Sequence, residues 1–573
     1  MPHTQEGMLS EERAVLRAGP LRALPDEVLD ELLVSCGRRV CVGGEIIIEE
    51  GDDDREAYVV LHGRLRVLRT EVATNGSAPA VTAVAEIGPG EMVGEMALLA
   101  QGRRTASVVA VRDTELLVLS EAVFRGLTEQ NVATLRHMAE LIVTRSTAAT
   151  LPLSRPSVVA VVTDGPDTEW FSPLLAAGFE AENRVILDVL HAAPDDLRSV
   201  VRRAELQGEV VLLVAEAADR KWAEAAVRQA DVVMPVAARR GSPCCEAVQD
   251  WLADHPRPPR VDAVTLDDAP APSSSLAGNV WRHRVRAGST ADAERLVRLV
   301  SGDATTLVLG SGSARGLAHL GVVQAFQERG VPIDAIGGTS AGAVVAGMFA
   351  TGRSIEQMRQ DLINFIDDVK WSRDLIFPRF SVLSGRQLSD EIENYFDGKH
   401  IEDLPLDLFT VATDLGTGTA VVDDRGPVWR AVRASAAIPG VFPPVRSGSS
   451  LLGDGAIVDR LPVGVMRRRH PQARVVSVDL ATPNGLAPSG YAEDGRVSWR
   501  RALWPGRRTR GLGAVMGRII ELTGSTDDVG DVTIRPEIGE LSLRDGTKAV
   551  DAAMAAGRTA ALDVLDTIHQ DQS

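Results

Sequence analysis

Aromatic residues make up only 4% of this 573-residue chain, and only four residues are cysteine. With so few rings, the cores must be built from Val, Leu, Ile and Ala. Cys36, Cys41, Cys244 and Cys245 have no metal-ligand spacing, and adjacent cysteines are poorly placed for a structural disulfide. That excludes a disulfide-stapled fold and points to a reducing compartment. Lysine is nearly absent: Lys221, Lys370, Lys399 and Lys548 are the four, so arginine carries the positive charge. Positive charge is itself in deficit, 61 Lys and Arg against 79 Asp and Glu, for a net charge of −18. That balance excludes a general nucleic-acid binder. No run of about 18 or more apolar residues is present, so no transmembrane helix is expected. The opening MPHTQEGMLSEERAVL lacks the basic segment and apolar run of a secretory signal. A cytoplasmic protein, peripheral to a membrane at most, is the expectation.

What remains is a globular composition, 45% apolar and 24% charged, in a chain too long for one core. Three regions separate. Residues 1–150 hold short β-branched runs between glycine-rich turns, such as VCVGGEIIIEEGDDDREAYVVLHGRLRVLR, followed by a helical pattern. This predicts a small β-barrel or jelly roll. Residues 151–302 alternate short apolar runs (SVVAVVTDG, VILDVL, VVLLVA, DVVMPVA) with alanine-rich helical stretches, as an α/β layer does. HPRPPR and APAPSSS mark a linker near 255–276. Residues 303–573 open with two strand–glycine loop–helix units, TTLVLGSGSARGLAHLGVVQAF and PIDAIGGTSAGAVVAGMFATG. Such units predict a mainly parallel sheet with both loops at its C-terminal edge, where α/β proteins bind ligands.

The two loops supply different chemistry. In GGTSAGA, Gly338 and Gly342 flank Ser340 with the spacing of a nucleophile elbow, a turn too tight for larger side chains. In the first loop, Gly310, Ser311, Gly312, Ser313, Ala314, Arg315 and Gly316 open a helix, and free backbone N–H groups there make an anion site. It could hold an oxyanion or a phosphate; without Gly-Lys-Ser/Thr it is no Walker loop. A serine also needs a base. Asp454, between two glycines in LLGDGA, is a candidate, against the plainer reading of a turn aspartate. A histidine triad would have to use His470 or His569, and His470 lies in the charged stretch RRRHPQAR.

LVLGSGSARG, GGTSAGA and LLGDGA, in that order, resemble the patatin-like phospholipases, and most of all their neuropathy target esterase branch. ATDLGTG, VWRAVRASAAIPGVFPPV and VDRLPV resemble the same branch, so the likeness runs over about 303–565. It implies a serine lipid esterase of lysophospholipase or phospholipase type with a Ser–Asp dyad and no metal or required cofactor. Ser340 would be the nucleophile, Asp454 the base and Gly310–Gly316 the oxyanion loop. An acyltransferase using the same dyad, or a nucleotide sensor on a decayed hydrolase scaffold, are the alternatives. Ser311 and Ser313 interrupt what is usually an unbroken glycine run. A left-handed backbone there would cost about 1–2 kcal/mol, and Ser313→Gly is expected to raise kcat.

VGEMALLAQGRRTASV (93–108) brings a Gly–Glu turn, an apolar run and an arginine nine residues on. A carboxylate and a guanidinium so spaced could take a ribose hydroxyl and a phosphate, or merely form a surface pair. The stretch resembles the phosphate-binding cassette of cyclic nucleotide-binding domains. That likeness implies Gly94 at the turn, Glu95 on the ribose, Arg104 on the cyclic phosphate and Thr105 beside it, with cAMP or cGMP as regulatory ligand. Finally, RVSWRRALWPGRRTRG (496–511) interleaves Trp499 and Trp504 with six arginines and no acid, as an interfacial anchor on a lipid membrane would, or as a solvated loop with both tryptophans packed on the core.

Overall fold

The β-branched runs of the first region pair into two antiparallel four-stranded sheets in the computed structural model. It describes residues 2–71, 80–147, 155–165, 168–190, 197–237, 242–253, 259–266, 280–368, 374, 381–480, 529–538 and 547–570. The chain divides into two compact units, Met1–Gly302 and Asp303–Ser573.

In the first unit one sheet orders Gly37–Cys41, Thr114–Ser120, Glu56–His62 and Met92–Val93, and the other Ile46–Ile48, Ser107–Ala110, Leu65–Glu71 and Ala80–Ile87. Alternation splits the interior as a strand's period of two requires: Val59, Leu61, Leu117 and Leu119 fill one core, Tyr58, Val60, Leu116 and Val108 the other. Helices Glu121–Gln130 and Val132–Thr147 follow, the first capped by the Ser120 side chain.

Residues 158–285 then form a six-stranded, all-parallel sheet in the order Ile186–Leu190, Val210–Glu216, Val158–Thr163, Val232–Ala237, Arg260–Leu266, Val280–Val285. Both faces are covered, which is why the inner strands Val158–Thr163, Val210–Glu216 and Val232–Ala237 are near-continuous apolar runs, whereas the edge strand Val280–Val285 carries Arg282, His283 and Arg284. The strand Arg260–Leu266 falls inside the span expected to be a linker, and it corrects that expectation. The flanking prolines mask a run whose Val261, Ala263 and Val264 are buried. Arg112, wholly buried, ties the barrel to this sheet through Glu205 and, at 2.7 Å, Asp231.

The second unit is an eight-stranded mixed sheet. Thr305–Leu309, Ala335–Thr339, Arg474–Val478 and Val532–Ile534 run parallel with the first half of Asp407–Asp414. Antiparallel strands Thr419–Asp423 and Ser450–Asp454 pair with its second half, and Val445–Ser447 pairs with Ser450–Asp454. Strand Thr419–Asp423 occupies one edge of residues 410–414, so Ala335–Thr339 and Ser450–Asp454 share the other, end to end. Helix Thr547–Gln570 packs on helix Ala318–Glu328, close enough for Gly321 and Gly557 to touch the facing backbone.

Candidate active site

The end-to-end arrangement brings the candidate dyad together. Thr339 lies opposite Val411 and Asp454 opposite Ala412, one position further along the same edge. Ser340 follows at φ 57°, ψ −120°, a conformation that L residues rarely adopt, and helix Ala341–Ala350 begins at once. The flanking glycines are sterically forced: a Cβ on Gly342 would lie 2.1 Å from the Leu309 carbonyl oxygen, and one on Gly338 2.7 Å from the same atom. Ser340 Oγ donates to Asp454 Oδ2 at 2.7 Å, and the amide of Ala456 donates to Oδ1 at 2.9 Å. Ser340 is 5% exposed and Asp454 1%. Burial pushes the Asp454 carboxyl up to about 6, against the opposing pull of these two donors.

Residues not singled out in the sequence hold this pair. Ser435, fully buried, accepts the Ser340 amide at 2.9 Å and donates to the Val411 carbonyl at 2.5 Å. Thr413 Oγ1 donates to the Asp454 carbonyl at 2.7 Å, and the Asp454 amide to Ala437 at 3.0 Å. A hydroxyl ending helix Val428–Ser435 after Ala431, Val432, Arg433 and Ala434 was the available signal for Ser435.

The glycine-rich loop lies against the elbow, since a Cβ on Gly316 would stand 2.3 Å from that of Ala341. Only part of the loop can serve as an oxyanion site, which corrects the expectation for its full length. The amides of Gly310 and Ser311 are already bonded, to the carbonyls of Val478 and Arg460 at 3.0 Å each, and that of Arg315 to Gly312. Gly312, Ser313 and Ala314 remain, the last two heading the 3-10 turn Ser313–Leu317, where N–H groups lack partners within the turn. Ser313 has φ 48°, the left-handed region, whereas Ser311 is not among the positive-φ residues. Buried His319 holds the Gly310 carbonyl through Nε2 at 2.7 Å, and burial pushes its imidazole down to about 4.

His470 is no partner for Ser340. Its Nε2 meets Asp407 Oδ2 at 2.7 Å, and Asp407 pairs with Ala335 at the far end of the strand that delivers Ser340. The side chain of His569 lies outside the described residues, as do Trp499, Trp504 and their arginines.

At the nucleotide cassette, Gly94 has φ 88°, and a Cβ there would lie 2.7 Å from Arg104 Nη1. Glu95 is buried at the start of helix Glu95–Ala100, and Thr105 is exposed. The buried Arg104 guanidinium is engaged by the Gly94 carbonyl at 2.8 Å, the Glu56 carbonyl at 2.5 Å and the Asp54 carboxylate at 2.8 Å. Its Nε has no hydrogen-bond partner. The acidic run EEGDDDRE thus supplies a carboxylate to the arginine that the sequence resemblance offers for a phosphate. Among the described residues no cluster of three or more His, Cys, Asp and Glu side chains could hold a metal ion, and no helix is long and apolar enough to cross a membrane.

The family described as patatin-like phospholipase matches residues 307–467, and the cyclic nucleotide-binding domain family matches residues 38–131. An uncharacterized NTE family protein of Mycobacterium tuberculosis is 28% identical over 97% of this chain and 97% of its own length. Lysophospholipase nte1 of Emericella nidulans is 26% identical over 80% of this chain, which spans 36% of that protein. Patatin-like phospholipase domain-containing protein 7 of Rattus norvegicus is 27% identical over 82% of this chain and 39% of its own length. The chain is thus similar to cyclic nucleotide-binding domains over residues 38–131, to patatin-like phospholipases over residues 307–467, and to NTE family proteins along its length.

Proposed function

We propose that this protein is a serine lipid esterase acting on lysophospholipids or related acyl esters through Ser340 and Asp454. The observation that carries the reading is the buried 2.7 Å contact between Ser340 Oγ and Asp454 Oδ2 at a strained elbow. Asp454 takes the hydroxyl proton as Oγ attacks the ester carbonyl carbon, and the amides of Gly312, Ser313 and Ala314 hold the resulting oxyanion. Collapse breaks the bond to the leaving alcohol, which receives the proton from Asp454. Water then attacks the acyl-serine with Asp454 again as base, and Asp454 returns the proton to Ser340 Oγ as the acyl–oxygen bond breaks and the fatty acid leaves. No step calls on a metal.

The working division is a nucleotide-binding region at 1–150, an α/β connector at 151–302 and the hydrolase with its C-terminal extension at 303–573. Cyclic nucleotide would act as a regulatory ligand by displacing the Asp54 carboxylate from Arg104, so the protein's own acid competes with cAMP or cGMP for that arginine. The match to the cyclic nucleotide-binding family supports this part of the reading.

Hydrolysis of a lysophospholipid by purified protein and by Ser340→Ala, each with cAMP, cGMP or neither, tests both parts. Fatty-acid release that is lost in the variant is expected, and a nucleotide-dependent rate would establish the regulation. Equal traces from wild type and variant would leave a non-catalytic sensor. Acyl transfer to an added alcohol at the expense of free acid would make the enzyme an acyltransferase on the same dyad.

A further inference from the structure

The strands that carry Asp454 do not stop at the dyad. Asp407–Asp414 runs on past Ala412, the residue opposite Asp454, and Ser450–Asp454 approaches from the same side, so both hairpin tips project beyond Ser340. At a rise of about 3.3 Å per residue, Leu415 and Leu451 stand roughly 10 Å in front of the dyad. They are neighbours, since the Leu415 amide donates to the Leu451 carbonyl at 2.8 Å. Leu415 is 44% exposed and Leu451 45%. Val422, opposite Val411 and so level with Thr339, lies behind these tips and is 37% exposed.

The surroundings are as telling as the leucines. In a chain of net charge −18, residues 415–422 (LGTGTAVV) contain no charged side chain. Residues 434–453 (ASAAIPGVFPPVRSGSSLLG) contain a single one, Arg446. A rim with Leu415 and Leu451 exposed and Arg446, the cross-strand partner of Leu451, as its one charge is poorly suited to a strongly ionic partner and suited to a surface with an apolar interior.

We infer that these two hairpin tips are the docking surface by which the protein meets a zwitterionic lipid surface, holding the dyad close to acyl esters lying there. The inference rests on the lipid-esterase reading of Ser340 and adds the part of the molecule that touches the lipid. It assigns the contact to Leu415 and Leu451 rather than to the arginine-rich stretch around Trp499 and Trp504. The two surfaces behave differently: contact through apolar tips with a single charge, Arg446, is nearly indifferent to salt, whereas a surface of six arginines needs anionic lipid and is screened.

The test is flotation of the full chain with phosphatidylcholine vesicles, at low and high salt, beside Leu415→Asp/Leu451→Asp. The parent should float at both salt concentrations and the double variant should not. Hydrolysis of lysophospholipid presented in the vesicles should fall at least about tenfold in the variant. Turnover of a short-chain soluble ester, which reports whether Ser340 and Asp454 remain assembled, should persist. Equal flotation of parent and variant overturns the proposal, as does flotation confined to anionic vesicles and lost at high salt. A dimer that dissociates in the variant while flotation persists would give the patch to a second copy of the chain, and also overturns it. Should the variant lose the soluble-ester reaction too, Leu451→Trp replaces it: an emission blue shift on adding vesicles supports docking, and an unchanged spectrum refutes it. Because flotation can be measured in Ser340→Ala, failure of docking and failure of the esterase reading are told apart.

Discussion

Burial pushes Asp454 up to about 6, so the carboxyl that must accept the Ser340 proton is half-protonated in mildly acidic solution. Only the ionised form can act as base, and kcat/KM should therefore rise with pH through about 6 and level off above it. The same shift has a cost in stability. A carboxyl whose folded pKa lies above its ordinary 3.8 favours the fold while protonated, and that contribution is lost as pH rises through about 6. Asp454→Asn should therefore abolish turnover yet melt higher than wild type near pH 8, by on the order of 2 kcal/mol, with the gap narrowing toward pH 5. Thermal melts at the two pH values check this; a variant less stable than wild type at pH 8 would mean that the carboxylate is not the strained partner. Ser313 offers a second reading at this scale. Its φ of 48° puts a non-glycine residue in the left-handed region, worth about 1–2 kcal/mol of strain, partly offset in Ser313→Gly by the freer unfolded chain. The variant should gain kcat by a few-fold and lose no stability, as steady-state kinetics and a melt would register; a lower kcat in a folded protein removes strain as the cause.

Between elements, the oxyanion loop depends on how its helix is held. Helix Ala318–Glu328 follows the loop and lies against helix Thr547–Gln570 at backbone distance: a Cβ on Gly321 would come 1.9 Å from the Met554 carbonyl oxygen, and one on Gly557 2.0 Å from that of Ala318. Neither contact can be relieved by rotating a side chain, because the obstacle is backbone. Gly557→Ala should destabilise the second unit by about 1–3 kcal/mol and lower kcat through the loop. Arg558→Ala, which removes only an exposed pair with Glu328, should leave the melting temperature nearly unchanged and so isolates the packing effect. Equal melting of Gly557→Ala and wild type would mean the helices slide freely. What could be read beforehand divides along the same line. The elbow was legible because its glycines and serine fall together in the short stretch Gly338–Gly342, even though the backbone that forces the glycines is that of Leu309, and the barrel because its strands alternate locally. The helix contact, the Ser435 hydroxyl under the Ser340 amide and the loss of Gly310 and Ser311 as oxyanion donors were not. Each is set by a partner from 95 to more than 200 positions away: Ser435, Arg460, Val478 and Met554. Asp54 was visible in its acidic run, but that it would reach Arg104 depends on two strands closing side by side.

Over the whole first unit, the decisive link is a group of charges removed from water. Arg112 is fully buried with Glu205 and Asp231 as ion partners, while His62 Nδ1 meets Glu205 at 2.6 Å and the amides of Ser157 and Val158 donate to Asp231. Burial by itself would raise both carboxyls; the Arg112 guanidinium overrides it and holds them below their ordinary values. Strand Ser107–Ala110 runs from just after Arg104 to just before Arg112, so one short strand joins the candidate phosphate arginine to the clamp on the α/β sheet. Arg112→Leu leaves Glu205 with only His62 and Asp231 with only Arg64, at 3.5 Å, as buried partners besides the backbone amides, and should cost about 3 kcal/mol at neutral pH. The deficit should shrink as pH falls, since the orphaned acids can then take up protons, whereas wild type loses the contribution of its depressed carboxyls over the same range. Adding Glu205→Met to Arg112→Leu should recover part of the loss by removing one uncompensated charge. If instead Arg112→Leu unfolds in urea at the wild-type midpoint, the barrel and the α/β sheet are joined by their apolar contacts alone. A change at the nucleotide cassette would then have no charged route through residue 112 to the rest of the unit.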